Sequence, residues 1–233
     1  MRYDFSQYRI ADIERKLQIA RFRPLDVMVT GVTGAGKSTT LNAFFQKYVA
    51  KVGDGVDPET MEFGAYSLND ALRLWDTPGL GDGVWRDQEH KRKIIDLLNK
   101  KYILDQQLYG FIDLALIILD GACRDLGTTF HLLNDIIVPN IQPNRIIVVI
   151  NQADLAMKGR HWQSGKCLPD ETLFAFLQEQ AISVQQRVKE ATGVTIRRPV
   201  FYSAEYGFNI REVFDMIVEL MPIRRRPLGI TKE

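Results

Sequence analysis

The sequence predicts an α/β fold, a mostly parallel six-stranded sheet with one antiparallel strand and helices on both faces. Three observations predict it. Short apolar runs that read as buried strands, at 25–30, 114–119 and 145–150, alternate with stretches of helical periodicity. A glycine-rich loop at 31–38 joins the first of these strands to a helix. Two further runs flank a turn at Asn69-Asp70 and read as a hairpin, which supplies the antiparallel strand. With 233 residues, 45% hydrophobic and 25% charged, the chain is long enough for one such domain around a single core.

Each element follows from its residues. Ile10, Ile13, Leu17 and Ala20 recur at helical spacing, so 6–21 reads as an amphipathic helix that Pro24 stops. This divides the chain into an N-terminal helix packed on the domain (1–24), the domain itself (25–222) and a basic tail (223–233). After the first strand and loop, a helix continues from Thr39. Residues 51–60 are rich in Gly and Asp without periodicity and read as a mobile loop. The hairpin strands fall at 63–67 and 71–75. A helix is predicted over 88–104, with Ile94, Ile95, Leu97 and Leu98 inward and the basic cluster 91–93 solvated. A strand at 113–120, a helix at 127–138 ended by Pro139 and a strand at 145–150 follow. The last elements are a long helix at 171–192 with Leu173, Phe176, Leu177 and Ile182 on its apolar side, a strand at 200–202 and a helix at 210–221.

Composition narrows the class. A net charge of +1 exerts no global pull toward nucleic acid or anionic membranes. No run approaches the ~20 apolar residues of a membrane span, and no secretory leader is visible, so a cytoplasmic location is expected. Cys123 and Cys167 show no metal spacing and read as reduced thiols. His90, His131 and His161 have no ligand spacing either, so no transition metal is expected. Trp85 and the loop 158–162 with Trp162 are expected to be exposed. Arg224, Arg225 and Arg226 read as a solvated basic tail, with RNA or acidic lipid as the alternative contact.

Four motifs carry chemistry. Gly31-Val32-Thr33-Gly34-Ala35-Gly36-Lys37-Ser38 matches G-x-x-x-x-G-K-[ST] between a strand and a helix. Glycines let successive N–H groups curl around phosphate oxygens at a helix N-terminus. Lys37 would reach the β- and γ-phosphates, and Ser38 would offer its hydroxyl to Mg²⁺. Asp76-Thr77-Pro78-Gly79 ends the hairpin's second strand, where Asp76 can hold Mg²⁺ through water and Gly79 N–H can meet the γ-phosphate. Asn151-Gln152-Ala153-Asp154 follows a buried strand, and the Asp154 carboxylate can accept from N1 and N2 of guanine. Adenine lacks that donor pair and would leave the carboxylate unpaired, which makes such a site discriminating. Ser203-Ala204-Glu205 follows the last strand, with Ala204 N–H placed for the guanine carbonyl oxygen.

In this order and spacing the motifs resemble the translation-factor-related class of P-loop GTPases over residues 25–221. The forms Thr33-Gly34-Ala35-Gly36-Lys37-Ser38 and Asp76-Thr77-Pro78-Gly79-Leu80-Gly81-Asp82 are similar to the septin, immunity-related and chloroplast-import-receptor-like branch, and to small bacterial GTPases related to the Era-like group. The resemblance implies a P-loop NTPase G domain with GTP or GDP and Mg²⁺ as cofactors. It implies phosphate and base contacts from Gly31, Thr33, Gly34, Ala35, Gly36, Lys37, Ser38, Thr39, Asn151, Gln152, Asp154, Ser203, Ala204 and Glu205. Ser38, Thr60 and Asp76 are then the Mg²⁺ residues, and Lys37, Thr60 and Gly79 the catalytic ones, Thr60 being the threonine of the first switch.

Three departures qualify this. Leu80 stands where many relatives carry a water-positioning Gln, so slow hydrolysis, or help from elsewhere, is expected. Gly34 replaces the Asn of potassium-activated relatives, so no potassium requirement is expected. Gln152 replaces the usual Lys, which predicts guanine selectivity with reduced affinity. The missing help would come from pairing two G domains, with Arg124 or Arg86 as the charge supplied. The expected function is a guanine-nucleotide switch with slow GTPase activity. The alternative is a nucleotide-dependent assembly module in which hydrolysis is incidental, while ATP chemistry is disfavoured by Asp154. Ribosome, RNA or membrane partners occur among the resembling proteins, and no basic face selects one of them.

Overall fold

The computed structural model describes residues 4–21, 24–45, 64–81, 83–122 and 127–228. In chain order it contains α1 (Ile10–Ala20), β1 (Leu25–Gly31), α2 (Lys37–Phe45), β2 (Gly64–Asn69), β3 (Leu72–Asp76), α3 (Val84–Asn99), β4 (Lys101–Leu104), β5 (Gln107–Gly110), β6 (Leu114–Asp120), α4 (Gly127–His131), β7 (Ile146–Asn151), β8 (Trp162–Gln163), β9 (Leu168–Pro169), α5 (Glu171–Thr192), β10 (Val200–Phe201) and α6 (Ile210–Glu219). The main sheet has six strands in the order β10-β7-β6-β1-β3-β2. Four of its pairings are parallel and the β2–β3 pairing is antiparallel.

The period of two along the central strands sorts their side chains to opposite faces. Met28, Ala115, Ile117 and Val148 pack with Ile94 and Leu98 of α3 and Leu173 and Leu177 of α5. Val27, Val29, Leu116 and Val149 pack with Leu41 and Phe44 of α2 and Val213 and Phe214 of α6. Every residue of β1 is buried, as expected for a strand covered on both sides. On the second face the segment that leads into α1 is tied down as well. Phe5 packs within 5.4 Å of Phe44 and 5.1 Å of Phe214. Tyr8 and Arg9 both bond Asp215, at 2.9 and 3.0 Å.

Four local readings are corrected. The helix expected over 88–104 starts at Val84 and stops at Asn99, and residues 101–110 form the β4–β5 hairpin. Its two-residue turn, Asp105-Gln106, has φ of 50° and 64°, the mirror-image turn that matches strand twist. The helix expected over 127–138 is α-helical over its first five residues and then continues as a π-helix, Leu132–Ile137. On α5 the buried stripe is Leu173, Leu177, Ala181, Val184 and Val188. Phe176 and Ile182 lie off that stripe and are exposed. Finally, 224–226 is not solvated along its length. Arg226 is buried, donating to Asn140 O at 3.0 Å and to Leu98 O, while Arg145 donates to Arg224 O at 2.7 Å. The carbonyl of Leu98 in the last turn of α3 and that of Asn140 accept from the Arg226 guanidinium, which explains why this one arginine turns inward while Arg224 stays exposed.

Candidate functional site

All four motifs lie at the carboxyl ends of the parallel strands, where ligands bind open α/β sheets. The loop after β1 carries Gly34 and Gly36 at φ of 82° and 83°. A Cβ at Gly36 would collide with the side-chain amide of Asn151. Glycine lets that amide reach Ala35 O at 3.0 Å, so the base motif is tied to the phosphate loop. Lys37 folds back over the loop, its Nζ 3.3 Å from Gly31 O and 3.1 Å from Val32 O. The ammonium therefore sits at the positive end of α2, an arrangement that attracts phosphate. Ser38 is exposed. Thr39 and Thr40 both belong to α2. Thr40 is buried, with Oγ1 on Gly36 O at 2.8 Å and 2.8 Å from the Tyr202 hydroxyl.

The second motif is sewn to the first. Thr77 donates to Val29 O from both its N–H (3.1 Å) and its hydroxyl (3.0 Å). Thr33 N–H donates to Leu80 O at 2.7 Å, and Leu80 N–H lies 3.4 Å from Gly31 O. Gly79 is where the two segments touch. A Cβ there would come within 2.6 Å of Thr33 Oγ1 and 2.7 Å of Lys37 Nζ. Leu80 points away from the cleft, into the core with Met28, Trp75 and Ile94. Asp76 Oδ1 is buried and has no hydrogen-bond partner among the described residues. Burial pushes its pKa up to about 6, against the opposing pull of Lys37 and the Thr77 N–H. A buried carboxylate oxygen left over beside an ammonium suits a hydrated divalent cation, so the residues fit Mg²⁺.

Sequence reasoning missed His90. Its Nδ1 lies 2.7 Å from Gly79 O, so the proton is on Nδ1. Asp87, one turn earlier on α3, accepts from Gly81 N–H at 2.8 Å. The signal was there: a polar pair at i, i+3 opens the helix that follows Asp-Thr-Pro-Gly.

The base end is a cavity of about 320 Å³ lined by Gly36, Thr39, Asn151, Gln152, Asp154, Leu155, Glu205 and Tyr206. Gln152 Nε2 donates to Gly34 O at 2.8 Å, so its arm lies back toward the phosphate loop. Two expectations change here. Ala204 N–H donates to Asn151 Oδ1 at 3.0 Å instead of facing the cavity. Ser203 is buried in its own turn, its Oγ accepting from Tyr206 N–H at 3.3 Å. Asn151 is thus a brace between two loops. Trp162 is half-buried against Tyr206 and Phe208, unlike Trp85, which is exposed. Thr60, the rest of 51–60, Cys123 and Arg124 lie outside the described residues, whereas Arg86 is exposed on α3.

Fold and site together define a P-loop G domain of the translation-factor-related class. The profile of the family described as 50S ribosome-binding GTPases matches residues 26–152, more than half of the chain, and the protein belongs to that family. Translocase of chloroplast 120 from Arabidopsis thaliana is 26% identical over 206 residues, 81% of this chain and 17% of that protein. The uncharacterized protein YkfA of Escherichia coli (strain K12) is 26% identical over 141 residues, 60% of this chain and 45% of its own length. The chain therefore spans about a sixth of the chloroplast translocase and less than half of YkfA. Among solved structures, Toc33 from Arabidopsis thaliana in complex with GDP and Mg²⁺ shares the fold at a TM-score of 0.61, with 15% identity and 96% of each chain covered. Era from Aquifex aeolicus bound to GDP and AlF4⁻ aligns at a TM-score of 0.50 with 18% identity, covering 91% of this chain and 61% of its own.

Proposed function

We propose that the domain binds GTP and GDP with Mg²⁺, hydrolyses GTP slowly and works as a switch. One observation carries the reading: a nearly buried carboxylate, Asp154, shares a single cavity with Gly36 and Thr39 of the phosphate-binding end. In this reading the N–H groups of 33–38 and Lys37 take the β- and γ-phosphates, and Gly79 N–H follows the γ-phosphate. Ser38 and Asp76 hold Mg²⁺, Asp76 through water, with Thr60 joining them. The ion, when bound, spreads the phosphate charge that builds up in transfer. Asp154 accepts from N1 and N2 of guanine, and Gln152 lies along the same side as the loop. No side chain at position 80 orients water, because Leu80 is in the core; slow turnover follows. Arg86, exposed on α3, and Arg124 are the charges that a second G domain would supply.

GTP turnover measured against protein concentration, with Mg²⁺ and with potassium or sodium, tests this. Specific activity that rises with concentration and falls in Arg86→Ala or Arg124→Ala supports completion across a pair. Flat, slow turnover supports a monomeric switch that waits for an activator. Tight GTP binding and GTP-dependent pairing without turnover would favour the assembly module. Asp154→Asn should weaken GTP by about a hundredfold and favour xanthosine triphosphate, whose C2 carbonyl accepts from the new amide; unchanged preference would sink the guanine reading.

A further inference from the structure

The cavity beside Asp154 has one wall that the four motifs do not supply. Tyr206 lines it and remains 42% exposed, although its ring is backed by another aromatic. The Trp162 ring lies 5.3 Å away, tilted by 50°. Trp162 meets Phe208 edge-on at 5.7 Å, and Phe208 stacks on buried Phe201 at 6.3 Å. The ring at the cavity is thus the outermost of a row anchored in the core.

Trp162 reaches this place on a small lobe between Asp154 and α5. β8 and β9 pair Trp162 with Pro169. Asp170 N–H donates to His161 O at 2.9 Å, and the two side chains meet at 2.8 Å. Asp170 then caps α5 by accepting from Leu173 N–H at 3.0 Å. From the other side, Tyr206 N–H bonds Ser203 Oγ, and Ser203 N–H bonds Phe208 O at 3.0 Å. Backbone and lobe both fix the ring before any ligand arrives, and such pre-organisation lowers the ordering cost of binding. A carboxylate reads the edge of a purine; its face needs a flat partner. Tyr206 is the aromatic ring among the residues that line the cavity.

We propose that Tyr206 contacts the face of the guanine base and that Trp162 is the positioning residue that holds it there. The proposal rests on the nucleotide-binding reading above and adds a base-side determinant to it. Its effect falls on the base half of the ligand and leaves the phosphate half alone.

Calorimetric binding of GDP and of inorganic pyrophosphate, both with Mg²⁺, separates the two halves. Tyr206→Ala should weaken GDP about tenfold, within the range of one aromatic–base contact, while Tyr206→Phe keeps the affinity. Trp162→Leu should weaken GDP by roughly threefold, and Trp162→Phe should restore it. Pyrophosphate binding should be the same in all five proteins. Unchanged GDP affinity in Tyr206→Ala overturns the proposal. So does an equal loss for pyrophosphate, which would mean general damage to the fold. A parent protein that binds pyrophosphate but not GDP overturns the nucleotide reading itself, and this proposal with it.

Discussion

The two ends of the central sheet bury charge in opposite ways. Near the start of β1, Asp26 is fully buried and fully engaged: Arg73 grips both oxygens at 2.8 Å, and the Trp75 indole N–H adds a third bond at 2.8 Å. At the far end of β3, Asp76 keeps a buried oxygen with no partner among the described residues, and its pKa is pushed up to about 6. Two residues of one strand, Leu74 and Trp75, separate Arg73 from Asp76. The difference teaches which buried charges are structural. Asp26, answered on every side, holds the fold, whereas Asp76 combines an oxygen left over among the described residues with a place at the phosphate-loop end of the sheet, beside Lys37.

The strongest way to break the comparison is at the satisfied end. Arg73→Ala leaves Asp26 buried without its cation and should cost about 3 to 5 kcal/mol in urea unfolding. Nucleotide binding per folded molecule should not change. A loss of binding without loss of stability would reverse the roles assigned to the two ends.

Asp76→Asn should do the opposite. Because the folded pKa is raised, the folded chain keeps this proton between 3.8 and about 6, where the unfolded chain has released it. Stability of the nucleotide-free protein therefore falls as pH rises through that window and stays lower above it. Removing the charge should abolish the fall and stabilise the nucleotide-free protein at neutral pH by on the order of 2 kcal/mol. The same variant should lose the Mg²⁺-dependent part of GTP affinity. Thermal melts across the acid range, with and without Mg²⁺ and a non-hydrolysable GTP analogue, check both halves. An Asn variant less stable than its parent at neutral pH would count against the comparison.

The smallest effect sharpens the comparison at the ligand end. His90 holds Gly79 O at 2.7 Å, and the neighbouring peptide N–H of Leu80 lies 3.4 Å from Gly31 O. His90→Phe removes the first of these and should slow GTP turnover roughly tenfold with KM nearly unchanged, about the worth of one hydrogen bond. A change in KM alone would place His90 in binding instead of in holding the segment after Gly79 for turnover.

The two ends also differ in how well they can be read from sequence. The glycines, Lys37, Asp76 and Asp154 were legible because their chemistry depends on residue type at a fixed distance along the chain. Their neighbours were not. His90 meets Gly79 through the first turns of α3, Asn151 takes the Ala204 N–H that guanine was expected to meet, and Arg226 is buried 128 residues from the carbonyl of Leu98 that it bonds. These contacts join separate elements, and no local spacing encodes them. The β4–β5 hairpin was hidden for another reason: its turn, Asp105-Gln106, lacks the glycine that usually marks one.

By itself, then, the chain determined the order of its motifs along the sequence, the phosphate loop and the fold class, because residue spacing, apolar periodicity and glycine conformations are local properties. Tertiary structure alone decided that Leu80 belongs to the core, that Asp76 keeps an oxygen unanswered among the described residues and that Trp162 stands behind Tyr206. Each of these depends on what burial brings together across the sheet, and burial is a property of the packed molecule.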